Sequence, residues 1–156
     1  MFNEARALDW IVRLLGRLGV PFQTAGGLAA RAYGAKRDLA DFDFYVPTST
    51  LEKVAANAKE HLVRAPTHHE DKNWDITFMS LEYEGQRIEL GGADGARYFD
   101  RQRDVWTDVK INFAQPVLRH VFDVEIPVMP FDDLVAYKRA LDRKVDRADL
   151  MEMEPW

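Results

Sequence analysis

The sequence predicts an α+β (mixed α/β) fold, in which helices flank a mixed β-sheet and short helices follow at the C-terminal end. Helical and strand-like hydrophobic periods alternate over roughly the first 60 residues. A middle region of alternating apolar residues and hairpin-type turns comes next, and two helical segments come last. Neither a repeat nor a linker-like composition interrupts this order, so residues 1–156 are expected to form one domain.

Five elements are predicted in the first part of the chain. Apolar residues recur at helical spacing from Leu8 to Leu18, and Gly19 is placed to end that helix. Glycines, prolines and capping residues set the bounds of the other elements. We predict a helix over residues 3–18, a strand over 22–25, a helix over 28–33, a strand over 42–46 and a helix from 48 to 61.

The second part of the chain is predicted to begin with a hairpin. Residues 75–83 and 87–90 read as its two strands, with a turn at Glu84 and Gly85. Further strands are expected over residues 105–113 and 117–124, and Pro127 and Pro130 are expected to separate them from two C-terminal helices. These helices are predicted over residues 131–141 and 146–153.

The composition limits the class of protein. Because the sequence has no cysteine, disulfides and thiolate metal sites are excluded. The net charge of −5 disfavours the binding of a long nucleic acid by bulk electrostatics, although a local basic cleft is compatible with it. No apolar run approaches the ~20 residues of a membrane span, and the first residues lack the pattern of a signal peptide. A soluble cytoplasmic protein with no membrane partner is therefore expected.

Two carboxylates, Asp41 and Asp43, alternate with apolar residues along the second predicted strand. Residues i and i+2 of a strand project from the same face, so both side chains should point into one pocket. Two like charges held this close oppose each other's ionisation unless a cation lies between them. Mg²⁺ takes oxygen ligands and shares such sites with substrate phosphates. The pair therefore predicts a site for phosphoryl or nucleotidyl transfer.

Glu89 stands between apolar residues on a short predicted strand. If that strand lies beside the one that carries Asp41 and Asp43, Glu89 completes a metal site of three carboxylates; otherwise it is a hairpin residue that faces solvent. Gly26 and Gly27 lie upstream, between a predicted strand and a helix. Two glycines there allow a tight turn and a close approach of backbone amides to a phosphate, although most Gly-Gly pairs are ordinary turns.

Two cations are candidates for phosphate contacts. Arg37 lies four residues before Asp41, where it either binds phosphate or pairs with Asp38 or Asp41. Lys138 shares the apolar face of the predicted helix over residues 131–141. Its ammonium group either extends outward to solvent or reaches a cleft that holds an anionic ligand. Beside a phosphate site, the cleft is favoured.

Two further polar groups are interpreted without a catalytic role. Asp142, Asp146 and Asp149 alternate with basic residues, which is typical of a solvated, salt-bridged helix face. Residues 68–71 (His-His-Glu-Asp) are interpreted as a polar loop. Adjacent histidines of a strand would point to opposite faces, which disfavours a shared metal ion.

Together these residues resemble the DNA polymerase β-like nucleotidyltransferase superfamily. Its signature is an apolar residue followed by Gly-Gly, then Asp-apolar-Asp-apolar, and later a carboxylate between apolar residues. The matching segments are residues 25–27, 41–44 and 88–90. Residues 33–37 and 133–150 look like small bacterial members, which include toxin-type nucleotidyltransferases of abortive-infection systems and aminoglycoside-type nucleotidyltransferases.

The resemblance implies a nucleotidyltransferase-like fold and Mg²⁺-dependent transfer of a nucleoside monophosphate from a nucleoside triphosphate to an acceptor hydroxyl, with release of pyrophosphate. The catalytic and metal-binding residues that it implies are Asp41, Asp43 and Glu89. The nucleotide-binding residues that it implies are Gly26, Gly27, Arg37 and Lys138. Catalysis would then consist mainly of positioning and electrostatics.

The acceptor stays open at this point among a small molecule such as an antibiotic, a tRNA end and a protein hydroxyl. The segment after residue 150 is too short for a helical acceptor-binding domain, so a homodimer or a partner protein is expected to supply that surface. The alternative function is a non-catalytic or partner-dependent protein of the same fold, such as a toxin–antitoxin component. Mg²⁺-dependent pyrophosphate release would favour the enzyme, and co-purification of a bound protein would favour the alternative.

Overall fold

The computed structural model of the protein describes residues 3–155. Within this range the elements confirm the predicted α+β class. The helices are α1 (Asn3–Arg17), α2 (Gly26–Ala32), α3 (Leu51–Asn57), α4 (Phe131–Leu141) and α5 (Lys144–Glu152). The strands are β1 (Gln23–Ala25), β2 (Asp41–Val46), β3 (Leu62–Glu70), β4 (Trp74–Tyr83), β5 (Gln86–Gly92), β6 (Arg97–Asp100), β7 (Val105–Asp108), β8 (Val117–Val121) and β9 (Val124–Val128). None of the helices in residues 3–155 has the length and apolar character needed to span a membrane.

The strands form one mixed sheet in the order β7-β6-β4-β5-β2-β1-β9-β8, with β3 also paired to β4. Strands β2 and β5 pair in parallel, as do β1 and β9, whereas the remaining pairs are antiparallel. The register of β2 and β5 sets Asp43 directly opposite Glu89. The central parallel pair therefore brings together two segments that are far apart in the sequence.

The hydrophobic core fixes the direction of the polar side chains on these two strands. Alternate residues of β2 and β5 are buried together with the apolar face of α1; they are Phe42, Phe44, Ile88 and Leu90 on the strands and Leu8, Ile11 and Leu15 on the helix. Burial of each such side chain contributes about 1.5–3 kcal/mol. A slip of one residue would exchange the two faces of a strand, so this burial holds the intervening carboxylates on the opposite face.

Strand β3 was not predicted, and the interpretation of residues 68–71 as a polar loop is wrong for its first three residues. These residues continue β3 and pair with β4, with Glu70 opposite Asp75. Pro66 lies within this strand, although proline cannot donate a ladder hydrogen bond. In the structure, Pro66 falls where the register shifts between Arg64 and Thr67, so no such bond is required of it.

The remaining differences lie in irregular segments. The single strand predicted over residues 117–124 is the hairpin of β8 and β9, turned at Phe122 and Asp123, which both have positive φ. Neither residue is the glycine or asparagine that usually marks such a turn. The strand predicted over residues 105–113 ends at Asp108, β6 was not predicted, and the helix expected over residues 48–61 is α3 between two short 3₁₀ turns.

Candidate active site

Three carboxylates meet on the polar face of the central parallel pair. Asp43 lies opposite Glu89 across β2 and β5, and Asp41 lies two residues earlier on the same face of β2. One oxygen from each of the three lies within 4.8 Å of the others. Sequence reasoning proposed this arrangement only on the condition that the two strands are neighbours, and the pairing of β2 with β5 meets that condition.

Burial and neighbouring negative charge oppose the ionisation of Asp43 and Glu89. Burial, together with the charges of Glu89 and Asp41, raises the pKa of Asp43 to about 7, and the nearby cations Arg143 and Lys138 only partly offset this rise. Burial and the charge of Asp41 also raise the pKa of Glu89. The Ser80 hydroxyl, which donates to a Glu89 oxygen at 3.3 Å, acts in the opposite direction. An all-oxygen donor set with uncompensated negative charge fits a hard divalent cation.

Gly26 provides the space that Asp43 occupies. Its φ is +60°, and a Cβ atom at this position would lie 2.6 Å from Oδ2 of Asp43. Both the backbone conformation and the contact therefore require a glycine at the junction of β1 and α2. Gly26 also lines the cavity that contains the carboxylates.

Gly26→Ala is expected to weaken Mg²⁺ binding at least about tenfold, because the added methyl group must displace the Asp43 carboxylate. Gly19→Ala is the matched control: Gly19 has a φ of +68°, and a Cβ there would have no neighbour within 4 Å. Both variants carry the backbone cost of about 1–2 kcal/mol for a left-handed alanine. Calorimetric Mg²⁺ titration and denaturant unfolding separate the two effects. Equal Mg²⁺ affinity in both variants would contradict this role of Gly26.

Gly27 and Arg37 are placed differently from the prediction. A Cβ atom on Gly27 would lie 2.6 Å from Nη2 of Arg37, so this glycine makes room for the arginine. The Arg37 guanidinium donates to both oxygens of Asp149 on α5, at 2.7 and 3.0 Å, rather than pairing with a carboxylate of Asp38 or Asp41. Asp149 is fully buried, and a buried carboxylate is costly to leave without a cationic partner. Within residues 3–155, Gly27 and Arg37 are not among the residues that line the cavity.

Lys138 takes neither of the two positions considered for it. The side chain is 1% exposed, and Nζ lies 2.9 Å from Asp149 and 3.4 Å from Asp146. It thus neither extends to solvent nor lines the cavity in the described part of the chain. Its charge still lowers the pKa of Asp43, so Lys138 acts on the carboxylates through space.

The acidic stripe formed by Asp142, Asp146 and Asp149 is largely buried, contrary to the predicted solvated helix face. Asp146 and Asp149 are 0% exposed, whereas Asp142 lies at the surface and pairs with Arg147. Burial alone would raise the pKa of Asp146, but Arg143 and Lys138 hold it below its ordinary value. We call Arg37, Lys138, Arg143, Asp146 and Asp149 the buried ion network. It joins the segment before β2 to both C-terminal helices.

Arg143 is the residue that sequence reasoning missed. It precedes α5, and its Nε and Nη2 donate to Asp146 at 2.7 and 3.0 Å, while its backbone N–H donates to the same carboxylate at 3.0 Å. The guanidinium lines the carboxylate cavity and lies 5.9 Å from the ring centroid of Trp74. The sequence carried one signal for this position. Asp146 follows Arg143 by three residues, which is the spacing at which two residues cap the start of a helix reciprocally.

The cavity has a volume of about 290 Å³ and two unlike sides. One side carries Asp41 and Asp43 of β2 together with Gly26, and Arg143 lines the cavity within 5.9 Å of the Trp74 ring centroid. The other side, which we call the β3–β4 wall, consists of His69, Trp74, Ile76 and Phe78. Glu89 lies on β5, between the strands that bear the two sides.

No family model matches the sequence, and no curated protein matches it. Solved structures with a similar fold include a Thermotoga maritima protein assigned as a nucleotidyltransferase, with a TM-score of 0.70 and 16% identity over 96% of this chain and 92% of that one. The lincosamide antibiotic adenylyltransferase LnuA, solved with lincomycin bound, has a TM-score of 0.62 and 14% identity over 97% and 95% of the two chains. ANT(2″)-Ia, in complex with adenylyl-2″-tobramycin, has a TM-score of 0.50 and 11% identity over 96% and 97%.

These similarities extend over nearly the full length of both partners, so the sheet and its helices correspond as a whole. Identities of 11–16% support a shared fold, and the chemistry has to be argued from the site itself. The chain therefore shares its fold with these three solved structures.

Proposed function

We propose that the protein is a Mg²⁺-dependent nucleotidyltransferase that moves a nucleoside monophosphate from a nucleoside triphosphate to an acceptor hydroxyl. The observation that carries the proposal is the convergence of Asp41, Asp43 and Glu89 in one cavity, on the central strands of a nucleotidyltransferase fold. The presence of all three carboxylates argues against a protein that keeps this fold but has lost catalytic activity.

The three carboxylates would hold the metal. Their oxygens are close together and mutually repulsive, which is the donor set that Mg²⁺ satisfies. When bound, Mg²⁺ would neutralise this charge and that of the triphosphate. The protein's own contribution is to keep the carboxylates aligned, through the β2–β5 register and through Gly26 beneath Asp43.

The transfer is an in-line displacement. The acceptor oxygen forms a bond to the α-phosphorus, the bond from that phosphorus to the oxygen bridging to the β-phosphate breaks, and pyrophosphate leaves with the electron pair. The hydroxyl proton passes to a base. Glu89 would accept it or position the hydroxyl, because it lies in the same cavity, directly opposite Asp43 on the neighbouring strand.

The cations have different proposed roles. Arg143 lines the cavity and would contact the triphosphate directly, with Gly26 next to Asp43 on the same side. Arg37 and Lys138 would contribute positive charge near the site as members of the buried ion network. Gly27 would support the network by leaving space for Arg37. This division differs from the expectation for Gly27, which was to cradle the phosphates, and keeps charge neutralisation as the expected role of Arg37 and Lys138.

Calorimetry with each of the four ribonucleoside triphosphates, with and without Mg²⁺, tests the proposal together with an assay for released pyrophosphate. We expect Mg²⁺-dependent binding of at least one triphosphate. The absence of binding by a well-folded protein would overturn the stand-alone enzyme and favour the alternative, a partner-dependent protein of the same fold.

Arg143→Ala is expected to weaken the binding of the Mg²⁺–triphosphate at least about tenfold, because a charged hydrogen bond to phosphate contributes about 1.5–3 kcal/mol. Arg147→Ala is the matched control, since Arg147 lies on α5 about one turn after Arg143 but is exposed and pairs with the surface residue Asp142. Both variants are to be compared by calorimetry. An equal affinity of the two variants would exclude Arg143 as a phosphate contact.

A further inference from the structure

We propose that the β3–β4 wall is the acceptor site and that the acceptor is an uncharged small molecule that carries its hydroxyl on an apolar or sugar ring. This inference rests on the proposed function and names the substrate class of the same site. The position, the charge and the size of the cavity support it.

The wall begins next to the proposed base. Gly91 follows Glu89 on the same face of β5 and lines the cavity with it. A Cβ on Gly91 would lie 2.8 Å from Cδ1 of Ile76 and 3.4 Å from Cε1 of Tyr45, so the missing side chain lets these two residues close over the strand. A ring that lies against Ile76 and Phe78 can therefore present a hydroxyl towards Glu89.

The charges around the wall disfavour a cationic acceptor. The Arg64 guanidinium lies 4.5 Å from the ring centroid of Phe78, and Arg143 lies 5.9 Å from that of Trp74. The rings of His69 and Phe78 are nearly perpendicular, with centroids 5.7 Å apart, and Nε2 of His69 lies 2.8 Å from a carboxylate oxygen of Asp71.

The carboxylates of the cavity are engaged elsewhere. Asp41, Asp43 and Glu89 are assigned to the metal, and they are the acidic residues among the described residues that line the cavity. Asp75, on the next strand position after Trp74, pairs with His68 and Arg97. A polycation would thus meet the Arg64 guanidinium at Phe78 and would lack a carboxylate partner of its own.

The size of the cavity disfavours a macromolecular acceptor. A volume of about 290 Å³ lies at the small end of ligand sites. The net charge of −5 further opposes a polynucleotide. Aromatic and aliphatic side chains next to one polar reacting group are typical of sites for small amphipathic molecules.

Phenyl β-D-glucopyranoside is a suitable probe because it is uncharged and joins a hydroxylated ring to an apolar one. Its binding is measured by saturation-transfer NMR with Mg²⁺ and an ATP analogue that carries a methylene bridge between the α- and β-phosphorus. We expect binding to the unmodified protein, and at least about tenfold weaker binding of kanamycin and of a single-stranded RNA octamer in competition. This comparison needs no variant.

Phe78→Ala is expected to weaken glucoside binding at least about fivefold, the usual effect of removing one stacking aromatic ring. Phe99→Ala is the matched control: Phe99 is likewise half-buried but packs against Trp106, away from the cavity. Thermal unfolding of both variants verifies that they fold. Calorimetry on the same samples gives their affinity for the ATP analogue.

The inference is overturned if the ATP analogue binds and the glucoside does not, or if kanamycin or the octamer binds as tightly as the glucoside. It is likewise overturned if the Phe78→Ala and Phe99→Ala variants bind the glucoside with equal affinity. It is also overturned if Phe78→Ala weakens the analogue more than the glucoside, because the wall would then hold the nucleobase. Each of these outcomes leaves the proposed function intact. Failure of the analogue itself to bind with Mg²⁺ would instead reject the proposed function.

Discussion

Asp43→Asn is expected to reduce nucleotidyl transfer about a thousandfold and to abolish the Mg²⁺ dependence of triphosphate binding. Asp43 lies at the centre of the carboxylate cluster, opposite Glu89 and two residues from Asp41. Asparagine keeps the shape of the side chain but removes the charge that attracts the metal. Pyrophosphate release and calorimetry with the triphosphate measure the two losses.

The same substitution should stabilise the metal-free protein at neutral pH. The pKa of Asp43 is about 7 in the folded protein, against an ordinary value of 3.8. The folded state therefore binds this proton more tightly than the unfolded chain does, so stability declines as the pH rises from about 4 to about 7. Asparagine removes that decline. We expect a gain of up to about 4 kcal/mol at pH 7.5 and almost none at pH 4, measured by urea unfolding in the presence of a chelator.

Asp38→Asn is the control, since Asp38 is an exposed carboxylate on the loop just before β2. This variant should keep both transfer and the pH dependence of stability. Added Mg²⁺ should raise the unfolding temperature of the Asp38 variant but not that of the Asp43 variant. A Mg²⁺ response that survives in Asp43→Asn would remove Asp43 from the metal site.

The centre of the site was predictable because it depends on local patterns. Alternation along β2 fixes which face Asp41 and Asp43 share, and apolar flanks do the same for Glu89. That these segments are neighbours required the resemblance, because a parallel pair has no turn signal in the sequence. The roles assigned to the three residues remain predictions until the variants are measured.

The surroundings of the site were not predictable, because they depend on which distant charges meet. Asp146 and Asp149 show the spacing of an ordinary solvated helix face. Their burial results from the packing of α5 against α4 and α2, which brings Lys138 and Arg37 to them. Arg143 was missed for the same reason: its position follows from Asp146, and the burial of Asp146 is a tertiary property.

Asp149→Asn is expected to lower the free energy of unfolding by about 3–5 kcal/mol, since it leaves buried cations without their full charge partner. Asp149 is 0% exposed and binds both Arg37 and Lys138. Urea unfolding at pH 7 measures the loss. Asp142→Asn is the matched control from the same stripe, and its exposed pair with Arg147 should contribute less than about 1 kcal/mol. Equal losses in the two variants would show that the network does not stabilise the fold.

Asp146→Asn separates stability from function within the same network. Its carboxylate receives both side-chain hydrogen bonds that hold Arg143 at the cavity, whereas Asp149 binds the cations that lie away from it. Asp146→Asn and Asp149→Asn should both lower the free energy of unfolding. After the measured affinities are corrected for the unfolded fraction, only Asp146→Asn should weaken triphosphate binding. The loss of affinity should be about as large as that of Arg143→Ala. If Asp149→Asn weakened binding equally, Lys138 or Arg37 would have to act on the triphosphate directly. The short C-terminal helices would then supply a second cation to the site, as the position of Lys138 on the apolar face of α4 first indicated.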